Sequence, residues 1–206
     1  QQALFDATCS FLMDDYTASG TVSDNCSSVS TVTQSPDVGS THAANTIVTL
    51  TAMDEAGNSS SCVFVVVPAD EIAPTVTCPA NQNVAVNNNC EFILSDYTTS
   101  ATTADNCSNS IVVTQSPSVG SSLSSSVLVT LTANDGNGNS STCDFTLTPD
   151  DQTPPVVVCN ADVEVDFDAN CGFEIADYIG FITATDNCAG AITYAQSPVA
   201  GTVITG

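Results

Sequence analysis

Short runs of alternating apolar and polar residues recur along the chain, separated by turn-forming residues. In the stretch 70–150 the first run is Thr75-Val76-Thr77-Cys78, and Asn83 to Val86 continues the pattern. Cys90 to Leu94 puts Cys90, Phe92 and Leu94 on one face, and Ile111 to Thr114 is another run. Val127 to Ala133 points Val127, Val129, Leu131 and Ala133 inward. Cys143, Phe145 and Leu147 form the last inward stripe, with Asp144, Thr146 and Thr148 outward. A period of two is that of a half-buried strand, and Val, Ile and Thr fit a pleated surface. No stretch of useful length has the period of a helix. Several short strands between turn signals predict an all-β sandwich.

The same pattern repeats. Cys9, Cys90 and Cys171 are 81 residues apart, as are Cys26, Cys107 and Cys188, while Cys62 matches Cys143 and Cys78 matches Cys159. Asp15-Tyr16, Asp24-Asn25-Cys26 and Gln34-Ser35-Pro36 recur in the same register in all copies. A fixed period of this size marks a repeat architecture. The fold class read from the sequence is all-β, a tandem array of immunoglobulin-like β-sandwich repeats with an 81-residue period. Two polar, Pro-containing stretches, 70–74 and 151–155, read as linkers. Residues 1–69 are then a repeat lacking its first strand, 70–150 a complete repeat, and 151–206 a repeat lacking its last strands. The natural array is expected to be longer at both ends. The chain has no Trp, so an antibody-type domain is not expected.

Charge narrows the list of partners. The chain carries 23 Asp and Glu and no Lys or Arg, a net charge of −23. Nucleic acid is excluded as a partner, because affinity for phosphates comes from Lys and Arg; an anionic membrane surface is excluded likewise. No apolar run is long enough to insert in a membrane. A hydrophobic content of 42% argues against the disorder that acidic composition otherwise suggests. Ten cysteines in a turn-rich β protein suit an oxidising, extracellular compartment. The absence of Lys and Arg also removes every trypsin-type cleavage site.

The ordered landmarks Pro74 to Pro79, Asp105-Asn106, Thr132 to Asn139 and Ser141 to Phe145 resemble the hyalin repeat (HYR) family. Repeat 1 keeps the pattern at Asp54 to Asn58, and repeat 3 departs from it with Asn160 after Cys159. The resemblance implies an immunoglobulin-like fold and a role in cell adhesion. With extra cysteines such as Cys90 and Cys107, these repeats look like those of giant surface adhesins of gliding Bacteroidota, exported by the type IX pathway.

Four cysteines per repeat allow three connectivities. In an immunoglobulin-like topology the first and last strands are neighbours, which favours Cys78–Cys143. That leaves Cys90–Cys107 and, by register, Cys9–Cys26 and Cys171–Cys188. This second set requires the segment from Ser95 to Asn106 to turn back. Cys62 and Cys159 are expected to pair outside the fragment. No Cys-x-x-Cys pair occurs, so structural bridges are preferred to zinc or redox chemistry.

The acidic loops have two readings. In the sandwich, the loop with Asp105 and Asn106, the loop with Asp135 and Asn139, and the linker with Asp70 and Glu71 fall at one end. The register matches are Asp24, Asn25, Asp54 and Asn58 in repeat 1, and Asp151, Asp186 and Asn187 in repeat 3. Hard cations such as Ca²⁺ are bound by several carboxylate, amide and carbonyl oxygens, so these residues form a candidate Ca²⁺ site between repeats. The alternative is turn chemistry, in which Asp and Asn bond their own backbone and Gly supplies positive φ. The Asn-x-Ser triplets at Asn25, Asn58, Asn106 and Asn139 are read as turns.

Nothing points to catalysis. The single histidine, His42, is expected at the surface, Tyr16, Tyr97 and Tyr178 as packing residues, and the paired acids Asp14-Asp15 and Asp150-Asp151 lack a sugar platform. The chain is read as the shaft of a large cell-surface adhesin and not as an enzyme. Its partners would be an extracellular surface, a polysaccharide, cell-surface machinery and neighbouring repeats. The alternatives are a structural fibre or matrix protein, or accessory modules of a secreted enzyme.

Overall fold

The computed structural model describes residues 2–26, 29–159 and 161–205; Asn160 lies outside them. Apart from two short 3-10 turns, Thr98–Ser100 and Ile179–Phe181, every regular element described is a strand. The chain forms two compact units that share residues 70–150 between them.

The first unit comprises 1–79, 96–116 and 129–145. Its main sheet has the order Gln2–Leu4, Ser59–Ala69, Thr46–Asp54, Val29–Ser35. Gln2–Leu4 runs parallel to its neighbour and the other pairs are antiparallel. Alternation turns Val48, Leu50 and Val66 inward, where they pack with Phe11, Met13 and Tyr16 from the facing layer; Val48 and Val66 are fully buried. Each such apolar side chain contributes about 1.5–3 kcal/mol on burial. In the same unit Thr75–Thr77 pairs antiparallel with Thr102–Ala104, and Val112–Ser116 pairs with 130–134. Val129, Leu131 and Ala133 are buried, as is Phe145. The Tyr97 ring meets Phe145 edge-on at 5.0 Å, as Tyr16 meets Phe64 at 5.2 Å.

The second unit comprises 80–95, 117–128 and 146–206. Phe92–Ile93 pairs with Ser122–Leu123, and Gln82–Ala85 runs parallel to 147–150 of the strand Ser140–Asp150. Val156–Val158 pairs with Thr183–Thr185, and Gly172–Glu174 with Val203–Thr205. Phe92, Leu94 and Leu147 are buried.

One hydrogen-bonded corner is built three times. The backbone N–H groups of Tyr16, Tyr97 and Tyr178 donate to Oε1 of Gln34, Gln115 and Gln196 at 2.8, 2.8 and 2.7 Å. This gives the recurring Asp-Tyr and Gln-Ser-Pro motifs a common physical purpose: the glutamine amide satisfies a backbone donor that no strand pairs.

Two expectations are corrected. The alternating run from Cys90 to Leu94 is strand only at Phe92–Ile93. Cys90 has φ of 60° in a turn, where the Asn87 carboxamide oxygen accepts N–H bonds from Asn89 and Glu91. His42 is half-buried instead of exposed; its ring packs 5.7 Å from Phe11 and its Nε2 is 2.9 Å from the Ser40 hydroxyl.

Candidate cation centre

Asp70 and two loops that carry Asp105 and Asp135 meet in the first unit. Carboxylate oxygens of Asp70, Asp105 and Asp135 lie within 4.8 Å of one another. Asp70 and Asp135 are buried, Asp135 with only 4% exposure. At that separation two unit charges repel by roughly 3.5 kcal/mol at an effective dielectric of about 20, and no Lys or Arg exists to offset this.

Part of the compensation is local. Asp105 Oδ1 accepts the N–H groups of Cys107 and Ser108 at 2.9 and 2.7 Å. Asp135 accepts those of Asn137 and Asn139 and, at 2.6 Å, the Asn139 amide. Asp70 accepts the Ile72 N–H and the amide of Asn137, and its carbonyl accepts the Asn139 amide. Burial pushes the Asp135 pKa up, but the bonds from Asn139 and Asn137 outweigh it and hold the carboxyl below its ordinary value. Turn chemistry is therefore present. It does not use every acceptor: Asp105 Oδ2 and Asn106 Oδ1 are buried and unpartnered. Leaving such a group unpaired costs about 1–3 kcal/mol. Three clustered carboxylates with spare buried oxygens fit a hard, oxygen-preferring divalent cation. Asp70, Asp105 and Asp135 would hold it.

A disulfide stands beside this cluster. Cys107, next to Asn106, is bonded to Cys9, 98 residues earlier in the chain. Cys9 lies in a turn closed by Asp6, whose carboxylate accepts the N–H groups of Thr8 and Ser10. Asn106 Nδ2 donates to the Asp6 carbonyl at 3.0 Å and reaches Asp70 Oδ1 at 3.4 Å. The second unit repeats the construction. Cys188 is bonded to Cys90, Asn187 Nδ2 donates to the Asn87 carbonyl at 3.2 Å, and Asn187 Oδ1 is again buried and unpartnered. There Asp151, Asp186 and Cys188 come together.

These bonds correct the expected pairings Cys90–Cys107, Cys9–Cys26 and Cys171–Cys188. Thr102–Ala104 runs beside Thr75–Thr77, which takes Cys107 to the Asp70 end of its repeat. The segment after Cys90 therefore does not turn back. Cys78 is bonded to Cys143, Cα to Cα 5.7 Å. Cys26, Cys62, Cys159 and Cys171 are exposed thiols.

The remaining candidates fall as follows. Glu71 is exposed and outside the cluster, and Asn25 is exposed. Asn139 bridges Asp70 and Asp135 as a donor. Asp54 accepts bonds from the amide and backbone of Asn58, which hold its pKa down against desolvation and a smaller upward push from Asp24. The sequence reading missed Asn137 and the turn residues Asp6 and Asn87. The last two occupy one register position, and the signal was hidden because Asp and Asn alternate there.

Strand pairing and the stapled carboxylate cluster define a protein of immunoglobulin-like β-sandwich repeats. Residues 69–148 match the family model of the HYR domain. Among solved structures, the chain is similar to the protocadherin gammaB7 EC3-6 cis-dimer structure, with 18% identity and a TM-score of 0.40 over 71% of this chain and 41% of that chain. It is also similar to human CDH23 EC21-23, with 15% identity and a TM-score of 0.36 over 75% of this chain and 60% of that one. The chain thus spans less than two thirds of either. No curated protein matches it in sequence. Among the described residues no helix is long and apolar enough to cross a membrane.

Proposed function

We propose that this chain is an extracellular, adhesion-type repeat segment, a non-enzymatic shaft whose repeat junctions are fixed by a disulfide and a divalent cation. The observation that carries the reading is a junction built twice in one register: bridge, Asn-to-carbonyl bond and carboxylates recur in both units. Disulfides persist outside the reducing cytosol, which supports an extracellular location. The HYR match at 69–148 supports an adhesion role. In the fuller version, suggested by the resemblance, the segment belongs to a gliding adhesin exported by the type IX pathway. Its partners are then an external surface or polysaccharide, the cell-surface machinery and neighbouring repeats. Calcium is the cation proposed, at Asp70, Asp105, Asn106 and Asp135 and, in the same register, at Asp151, Asp186 and Asn187.

The test is calorimetry and solution scattering of the oxidised chain with Ca²⁺ or with chelator. A ligand at about 100 times its dissociation constant stabilises by roughly 2.7 kcal/mol, a rise in Tm of about 5–10 °C for a chain of this size. An unchanged Tm and scattering profile would remove the cation from the proposal and leave the acidic loops as turns.

A further inference from the structure

We infer that tension along this chain is borne by the Cys9–Cys107 and Cys90–Cys188 disulfides, which route load past the long hairpin strands of both units. The inference rests on covalent connectivity, and holds whether or not a cation binds.

Both bridges span 98 residues, more than the 81-residue period. Successive bridges therefore overlap, with Cys90 lying 17 residues before Cys107. The shortest covalent path from residue 1 to residue 206 runs forward to Cys9 (8 steps) and crosses to Cys107. It then runs backward to Cys90 (17 steps), crosses to Cys188 and runs forward to the end (18 steps). That is 43 of the 205 steps. The intervals 9–90 and 107–188, which contain the long hairpin strands Thr46–Asp54 with Ser59–Ala69 and Val127–Asn134 with Ser140–Asp150, are slack whenever this path is taut.

The limits follow from chain geometry. An extended chain spans at most about 3.3–3.6 Å per residue. The 17-residue link therefore reaches about 56–61 Å, and the bridges add Cα–Cα spans of 4.9 and 5.0 Å. Cys9 and Cys188 can then separate by no more than about 70 Å. Without bridges the 179 residues between them would reach roughly 590–640 Å. The Cys78–Cys143 bridge has another function. Its alternative route from Cys107 through Cys143 and Cys78 to Cys90 takes 36 plus 12 steps, longer than the direct 17. It staples a fold and carries no load at full extension. The two kinds of bridge thus divide the work, and the chain acts as a strap of limited length.

Single-molecule stretching tests this. The full chain, with its exposed thiols alkylated, is held by peptide tags fused at each end and pulled oxidised and then reduced. The expected end-to-end limit, tags excluded, is about 150–165 Å oxidised and roughly 680–740 Å reduced. Replacing Cys9 and Cys107 together by Ser lengthens the oxidised path from 43 to 107 steps, to about 360–390 Å. Replacing Cys78 and Cys143 leaves the oxidised limit unchanged. An oxidised wild-type chain that extends well past 165 Å would overturn the inference, as would an increase on removing Cys78–Cys143. The reduced wild-type chain supplies the long reference even if a variant folds poorly.

Discussion

The two junctions share a frame and differ in how it is filled. In the first unit Asp70 and Asp135 are buried, and the Asn137 and Asn139 amides tie Asp70 to the Asp135 loop. In the second, Asp151 is exposed and its carboxylate accepts the N–H of Thr153. Bridge and Asn-to-carbonyl bond are the same in both. The difference separates two contributions. The staple and the asparagine are set by a short motif, Asp-Asn-Cys, meeting an Asx turn. In the first unit the third carboxylate comes from the hairpin loop that carries Asp135.

The largest effects should come from the bridges and be equal. In the chain-entropy model a 98-residue loop contributes about 4–5 kcal/mol through the unfolded state. Replacing Cys9 and Cys107 by Ser should therefore cost as much as replacing Cys90 and Cys188, as read by urea denaturation. Clearly unequal losses would mean that native packing, and not loop closure, decides the contribution.

A change confined to the first junction comes next. Asn139→Ala removes the amide that donates to both Asp70 and Asp135. It should cost about 1–3 kcal/mol and abolish most of the Ca²⁺-dependent rise in Tm. Glu71→Gln should change neither, because Glu71 is exposed and stands outside the cluster.

A smaller effect concerns acid. The Asp135 pKa is depressed in the folded state. The stability it contributes is therefore present above its unfolded value of about 3.8 and is lost as pH falls through the lower folded value. Asp135→Asn should flatten this part of the stability profile below about pH 4, with little change near pH 7 beyond a constant offset. Comparing variant with wild type cancels the relief of the −23 net charge that acid brings to both.

Much of this molecule was legible before the structure. The inward stripe Val129, Leu131, Ala133 and the stripe Phe145, Leu147 are buried, because period-two alternation is the direct signature of a one-sided sheet. The three acids that meet could be named from topology, since Asp105 and Asp135 sit in loops at one end of the sandwich and Asp70 in the linker. The cysteine pairing was not legible. A 17-residue interval between Cys90 and Cys107 looks like a loop to be closed, and nothing local reveals that Cys90 occupies a left-handed turn facing the next repeat's Asp-Asn-Cys motif. Sequence distance favours the short loop, whereas the Thr75–Thr77 and Thr102–Ala104 pairing carries Cys107 to the other end.

The central claim, that each junction is covalently stapled across repeats, is tested most directly by mapping disulfides in the non-reduced protein. Trypsin has no site in this chain, so pepsin and an Asp-directed protease should be used after alkylation of the free thiols. Linked peptides joining Cys9 to Cys107 and Cys90 to Cys188 are the predicted result. Peptides joining Cys90 to Cys107 within one repeat would contradict the account, and with it both the stapled junction and the tension-bearing path.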